Sequence, residues 1–129
     1  MQKVTAAVIE HEGRILIARR RRGDRFGGRW EFPGGKLEPG EAPSEGLRRE
    51  LREELGVEAR VGLFLGSFPF AGPDLAIELL AFRVALDGHD PLPLDHDQLA
   101  WVAPADLPGF DLTEPDRPLA ALLAGKETA

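Results

Sequence analysis

Three glutamates, Glu50, Glu53 and Glu54, stand at i, i+3 and i+4 in a leucine-containing stretch. On a helix of 3.6 residues per turn that spacing turns all three carboxylates to one face. Exposed like charges so placed repel by roughly 0.2–0.5 kcal/mol per pair, and the cluster is more easily explained if a hard divalent cation sits among the oxygens. Mg²⁺ or Mn²⁺ suits an all-oxygen donor set, and such an ion can neutralise an anionic substrate and lower the pKa of bound water. The competing reading is a solvated acidic face, because Glu is a good helix former. The flanks weigh against it. Phe32-Pro33-Gly34-Gly35 is a loop whose carbonyls and amides can approach a ligand, Gly40-Glu41 closes a second turn, and Gly56 can stop the helix in a left-handed cap.

Those groups need a scaffold, and the hydrophobic pattern supplies one. Residues 3–10 and 14–19 read as a hairpin joined at His11-Glu12-Gly13, residues 23–28 as a Gly-rich loop and residues 30–32 as a short strand. The helix is expected over 45–55. Leu47, Leu51 and Leu55 form a stripe about a quarter turn from the Glu face, so the helix can pack on a sheet with its carboxylates at the edge. Arg49 falls beside Glu53 and can hold it. The N-cap is weak, since Ala42 precedes Pro43, with Ser44 as an alternative. Residues 59–69 and 75–86 read as strands joined by a proline-glycine turn, 87–97 as a polar loop and 99–102 as a further strand. Thr113 and Asp116 have the look of a helix cap ahead of an apolar face made by Leu119, Leu122 and Leu123.

The whole composition bounds the class. A chain of 129 residues, 43% hydrophobic and 29% charged, is expected to be one globular domain. A net charge of −6 argues against a stable nucleic-acid partner, and the absence of cysteine removes disulfides and thiolate zinc sites, which fits a reducing cytoplasm. No apolar run of about 18 residues and no signal-peptide pattern is visible, so no membrane role is expected. Positive charge is local instead: Arg19 to Arg22, then Arg25 and Arg29, are either phosphate ligands or solvated loop edges.

Gly35, Glu41, Arg49, Glu50, Leu51, Glu53, Glu54, Gly56 and Val57 match every fixed position of the Nudix box. The chain resembles Nudix hydrolases, and among them the small MutT-type nucleoside triphosphate pyrophosphohydrolases, from the first strand to the last helix. The resemblance implies an α/β/α sandwich with a central mixed β-sheet, a single domain over 1–129 with the box at 35–57, and metal-assisted attack of water on phosphorus. For a MutT-type member the products are a nucleoside monophosphate and pyrophosphate, with 8-oxo-dGTP-like or cytosine nucleotides as favoured substrates. A nucleotide sugar, a dinucleoside polyphosphate, a capped RNA end or a sensor role with weak activity are the alternatives. The partner is a small nucleotide, and the protein a monomer or homodimer.

Carried onto this chain, the resemblance makes Glu50, Glu53 and Glu54, with a carbonyl of Gly34 or Gly35, the ligands of Mg²⁺ (or Mn²⁺), and Glu50, Glu53 and Arg49 the catalytic group. MutT-type enzymes often carry a further carboxylate just before the tryptophan equivalent to Trp101, where this chain has Ala100. Asp95 or Asp97 could supply that oxygen, or a helix Glu could act as base alone; His96, in the same loop, reads as solvated. Arg20 matches the arginine that approaches the nucleotide. Lys36 is a phosphate ligand or a surface lysine, Phe32 a wall for the base or a core residue, and Asp116 a base-edge contact or a helix cap. Glu78 lies amid apolar residues, and a carboxylate there either faces solvent or accepts hydrogen bonds from a ligand.

Overall fold

Residues Thr5 to Ile9 are buried without a break, which marks a strand covered on both faces. In the computed structural model, which describes residues 1–88 and 90–125, that strand is β1 (Gln2–His11), at the centre of the sheet. It pairs in parallel with β5 (Ala76–Leu86), and β5 pairs antiparallel with β4 (Ala59–Ala71). On the other side a two-residue turn, with Glu12 at φ 53° and Gly13 at φ 78°, leads into β2 (Arg14–Arg19). β2 pairs with β6 (Gln98–Val102) along its length.

β1 and β2 pair only through Glu10↔Ile15 and His11↔Arg14 beside their turn. They then diverge, and the chain between them closes the gap. β3 (Trp30–Glu31) pairs with Ala18 and Arg19 of β2. The next residues run along β1, where Ala7 N–H donates to the Pro33 carbonyl (2.7 Å), Thr5 N–H to the Gly35 carbonyl (2.8 Å) and Leu37 N–H to the Lys3 carbonyl (3.1 Å). The glycine loop is therefore held as a strand on the central strand of the sheet.

Side-chain alternation along β1 feeds two cores. Ala7 and Ile9 meet Leu16 and the fully buried Leu47, Leu51 and Leu55 of α1 (Pro43–Leu55). Ala6 and Val8 meet Ile17, Phe32, Leu79 and Leu119, the last from α2 (Arg117–Leu123). A helix on each face of a mixed sheet is the expected α/β/α sandwich. Each leucine of the α1 stripe contributes roughly 1.5–3 kcal/mol by its burial.

α1 starts at Pro43, earlier than the apolar pattern indicated, with Ala42 giving no side-chain cap. Pro43 at the first position has no N–H left to satisfy. The helix ends as the sequence indicated, at Gly56 with φ 67° and its N–H on the Arg52 carbonyl. The last helix starts later than expected. Glu114–Asp116 is a 3-10 turn, no side chain of Thr113 or Asp116 caps it, and α2 opens at Arg117 with Pro118 in its first turn. A second 3-10 turn, Pro104–Gly109, packs the buried Leu107 into the α2 core. Among the described residues no helix is long and apolar enough to cross a membrane.

Candidate active site

The glycine loop and α1 bring the acidic cluster together. Glu54 is 7% exposed, and its Oε1 accepts the Gly34 N–H at 3.1 Å. Burial pushes the Glu54 carboxyl well above the usual carboxylate range, and the neighbouring charges of Glu31, Glu50 and Asp95 add to the effect. Glu50 lies against Gly35 so closely that a Cβ there would sit 2.5 Å from its carboxyl carbon. Burial raises the Glu50 carboxyl as well, while Arg49 pulls it back. Glu53 is the exposed member.

Arg49 ties the cluster to the loop. Its Nε and Nη2 donate to the two Glu41 oxygens at 2.7 and 2.9 Å, Nη1 to Glu50 at 3.0 Å and more weakly to Glu53 at 3.4 Å, and Nη2 also to the Lys36 carbonyl at 3.2 Å. The hydrogen bonds from Arg49 hold Glu41 down at about 2. A bidentate Arg–carboxylate pair fixes both planes, so Arg49 sets the position of Glu50 relative to Gly35. The sequence placed Arg49 beside Glu53, four residues on. The stronger pair with Glu41, eight residues back, depends on how the loop folds over the helix.

Among the described residues no three His, Asp or Glu side chains stand together at ligating distance. The donor set nonetheless fits a hard cation. The three helix carboxylates offer oxygen donors, burial pushes two of them, Glu50 and Glu54, up toward neutrality, and Glu53 is exposed with only the weak Arg49 bond upon it. The carbonyls of Pro33 and Gly35 already accept bonds from β1, so of the two glycine carbonyls it is that of Gly34 which is not spent on the sheet.

A cleft of about 310 Å³ opens beside the cluster, lined among others by Arg20, Phe26, Phe32, Lys36, Ile77 and Asp116. Several sequence expectations change here. Glu78 does not reach it: Leu75, Ile77 and Leu79 line the cleft, alternation sends Glu78 to the opposite face, and it accepts a 2.7 Å bond from Ser67 Oγ. Arg20 lines the cleft but is not a free phosphate ligand, because Nε and Nη2 donate to Asp24 at 3.0 and 2.8 Å and Nη1 to Glu31 at 2.9 Å. Phe32 is 3% exposed and belongs to the core behind the cleft. Lys36 is exposed at the rim. Asp97 is paired with Arg19 at 2.7 Å, whereas Asp95 is near enough to raise Glu54. Ala100 packs on the apolar core. His96, read as solvated, is 3% exposed and hydrogen-bonded to Glu31 at 2.8 Å. Neither His96 nor Glu31 stands out in the sequence as part of the site, because their contact depends on how the segment before β6 folds back on β3.

Asp116 is buried, 5% exposed, and its Oδ2 accepts the Phe32 N–H at 2.9 Å in place of capping α2. Burial, with the Glu31 charge behind it, pushes its carboxyl up to about 8. The folded protein thus keeps a proton on Asp116 that the unfolded chain releases near pH 4. Stability from this group is complete below pH 4 and is lost as pH rises toward 8. Asp116→Asn, which can still accept the Phe32 N–H, should flatten that limb. Thermal melts from pH 5 to 8.5 should show the variant gaining on wild type as pH rises, and a constant difference would refute the assignment.

Fold and site together describe a sheet-and-helix scaffold that presents clustered carboxylates beside a nucleotide-sized cleft. The chain belongs to the Nudix hydrolase family: the NUDIX domain family model matches residues 1–123. It is 42% identical over 120 residues to the CTP pyrophosphohydrolase of Escherichia coli (strain K12), covering 92% of this chain and 88% of that one. It is 40% identical over 82 residues to the 8-oxo-dGTP diphosphatase of Proteus vulgaris, covering 63% of this chain and 73% of the relative. The crystal structure of the MutT protein from Methanosarcina mazei Go1 superposes with a TM-score of 0.85 at 26% identity, covering 99% of this chain and 96% of that one. The protein is accordingly a hydrolase of pyrophosphate bonds, from a family whose members generally depend on a divalent metal.

Proposed function

We propose that this protein converts nucleoside triphosphates to the monophosphate and pyrophosphate with Mg²⁺, or Mn²⁺ in its place. Glu50, Glu53, Glu54 and the Gly34 carbonyl would hold the ion, which supplies charge neutralisation and a more acidic bound water. The observation that carries the reading is the buried Glu54 anchored on the Gly34 N–H, with Glu50 packed against Gly35, the two glycines that line the cleft. Arg49 keeps Glu50 and Glu41 in register with the loop, and the exposed Glu53 is the helix carboxylate best able to take a proton from water. Lys36 at the rim meets the phosphates. Cytosine and oxidised guanine nucleotides are the favoured substrates, supported by what the relatives are named for and by Asp116, which at neutral pH carries a proton to donate to a base edge.

The test is pyrophosphate release from CTP, dCTP, 8-oxo-dGTP and the ordinary triphosphates, with Mg²⁺ and with Mn²⁺. Release concentrated on cytosine or 8-oxoguanine nucleotides is expected. Cleavage of a nucleotide sugar or dinucleoside polyphosphate with no triphosphate turned over would reassign the substrate.

A further inference from the structure

The cleft has two aromatic side chains in its lining among the described residues, Phe26 and Phe32. Phe32 is spent on the core at 3% exposure. Phe26 is partly exposed, and it stands on the Gly-rich loop between β2 and β3, where a side chain would ordinarily wander. Here the loop is tied. Asp24 Oδ1 accepts the Phe26 N–H at 3.0 Å, the Asp24 carbonyl accepts the Gly27 N–H at 3.1 Å, and the Arg20 carbonyl accepts the Gly28 N–H at 2.9 Å. The Arg20 guanidinium grips both Asp24 oxygens and lies 6.0 Å from the Phe26 ring centroid.

Arg20 is in turn held from the interior. Its Nη1 donates to Glu31, whose Oε2 meets His96 Nε2 at 2.8 Å. His96 is fixed from both sides, since Asp97 N–H donates to the Arg19 carbonyl at 3.1 Å and Arg21 Nε donates to the Asp95 carbonyl at 3.2 Å. The His96 Nδ1 is buried without a hydrogen-bond partner among the described residues. With Nδ1 unpaired, the hydrogen bond to Glu31 is the side-chain bond that holds the ring among the described residues.

We propose that Phe26 contacts the nucleoside in this cleft and that His96, Glu31, Arg20 and Asp24 form the strut that holds it there, an inference resting on the nucleotide hydrolase reading above. The chain of contacts runs from the β6-side loop through β3 and β2 to the tip of the 20–29 segment. Arg20 and His96 are positioning residues in this arrangement, and Phe26 is the one that touches substrate.

The experiment measures KM and kcat for the best triphosphate and the inhibition constant of inorganic pyrophosphate, which has no nucleoside. Phe26→Ala should raise KM roughly 5- to 20-fold, in the range seen when an aromatic partner of a base is truncated. Its kcat should stay within twofold, its pyrophosphate inhibition should not move, and Phe26→Trp should restore KM. Asp24→Ala and His96→Gln should each raise KM about 3- to 10-fold alone but add nothing to Phe26→Ala, because both act through the ring. Should His96→Gln fail to fold, Asp24→Ala on the exposed loop carries the comparison. Unchanged KM in Phe26→Ala overturns the contact, and effects of Asp24→Ala that add to those of Phe26→Ala overturn the strut. Wild-type protein that turns over no triphosphate overturns the nucleoside triphosphate reading and the inference with it, and is recognisable because there is then no KM to shift.

Discussion

Glu53→Gln should lower kcat roughly a thousandfold while leaving KM for the triphosphate within a few-fold, as expected when a general base or a metal-activating carboxylate is replaced by its amide. The substitution keeps the shape and, at an exposed position, should leave the melting temperature unchanged. Glu54→Gln sets the opposite balance. This carboxylate is buried, with Glu31, Glu50 and Asp95 around it, so with no cation present the folded protein must hold a proton there that the unfolded chain releases, a cost that grows with pH. The amide oxygen can still accept the Gly34 N–H. Metal-free Glu54→Gln should therefore melt at or above the wild-type temperature at pH 7.5 and lose turnover all the same. Adding Mg²⁺ should then reverse the order, because an ion bound only by the folded wild type stabilises it by about 2.7 kcal/mol at a hundred times its dissociation constant. Melting curves of the three proteins with chelator and with Mg²⁺ check this. A wild-type melt indifferent to Mg²⁺ would count against a cation among these oxygens.

The elements of this fold were legible where one physical signal acted alone. The leucine stripe of α1 follows from 3.6-residue periodicity, and its stop at Gly56 follows from the need for φ above zero, so both were visible in the chain. The strands came out with shifted ends because pairing partners set their limits: β4 runs on to Ala71 because Ala76 is there to pair with it. The acidic face was visible for the same reason as the stripe. What stayed hidden depended on the path of the chain. Arg20 reads as a phosphate ligand until β3 brings Glu31 beside it, and His96 reads as a polar loop residue until the backbone of Asp97 and Asp95 is stitched to Arg19 at the end of β2 and to Arg21 just beyond it. Glu78 shows the reverse error. Its apolar neighbours suggested a ligand role, but period-two alternation assigns it and Ile77 to opposite faces once the cleft is known to lie on the Ile77 side.

Two adjacent glycines should fail in different ways, and the contrast separates holding the fold from holding the chemistry. Gly34 has φ +146°, and a Cβ there would lie 2.1 Å from the Thr5 carbonyl oxygen, on the central strand. Neither the backbone angle nor β1 can yield. Backbone strain of order 1–3 kcal/mol and overpacking of similar size combine, so Gly34→Ala should lose roughly 2–5 kcal/mol of stability, a large part of the 5–15 kcal/mol a domain of this kind has. At Gly35 no positive φ is required, and the three atoms nearest the Cβ would all be those of the Glu50 carboxylate. That group is the far end of a flexible side chain, so it should swing aside at a cost near 1 kcal/mol. Moving Glu50 also takes it from Arg49 and from the face shared with Glu53 and Glu54, so Gly35→Ala should fold and melt close to wild type yet lose at least a hundredfold in turnover. Gly40→Ala, at φ +76° with nothing within 4 Å, is the control for backbone strain alone and should cost about 1 kcal/mol with activity kept. Denaturant unfolding paired with pyrophosphate release orders the three. If Gly35→Ala proved as active as wild type, the close packing of Glu50 on the loop would be incidental to the chemistry. The expected result makes the bare backbone at residue 35 the space in which the Glu50 carboxylate is held.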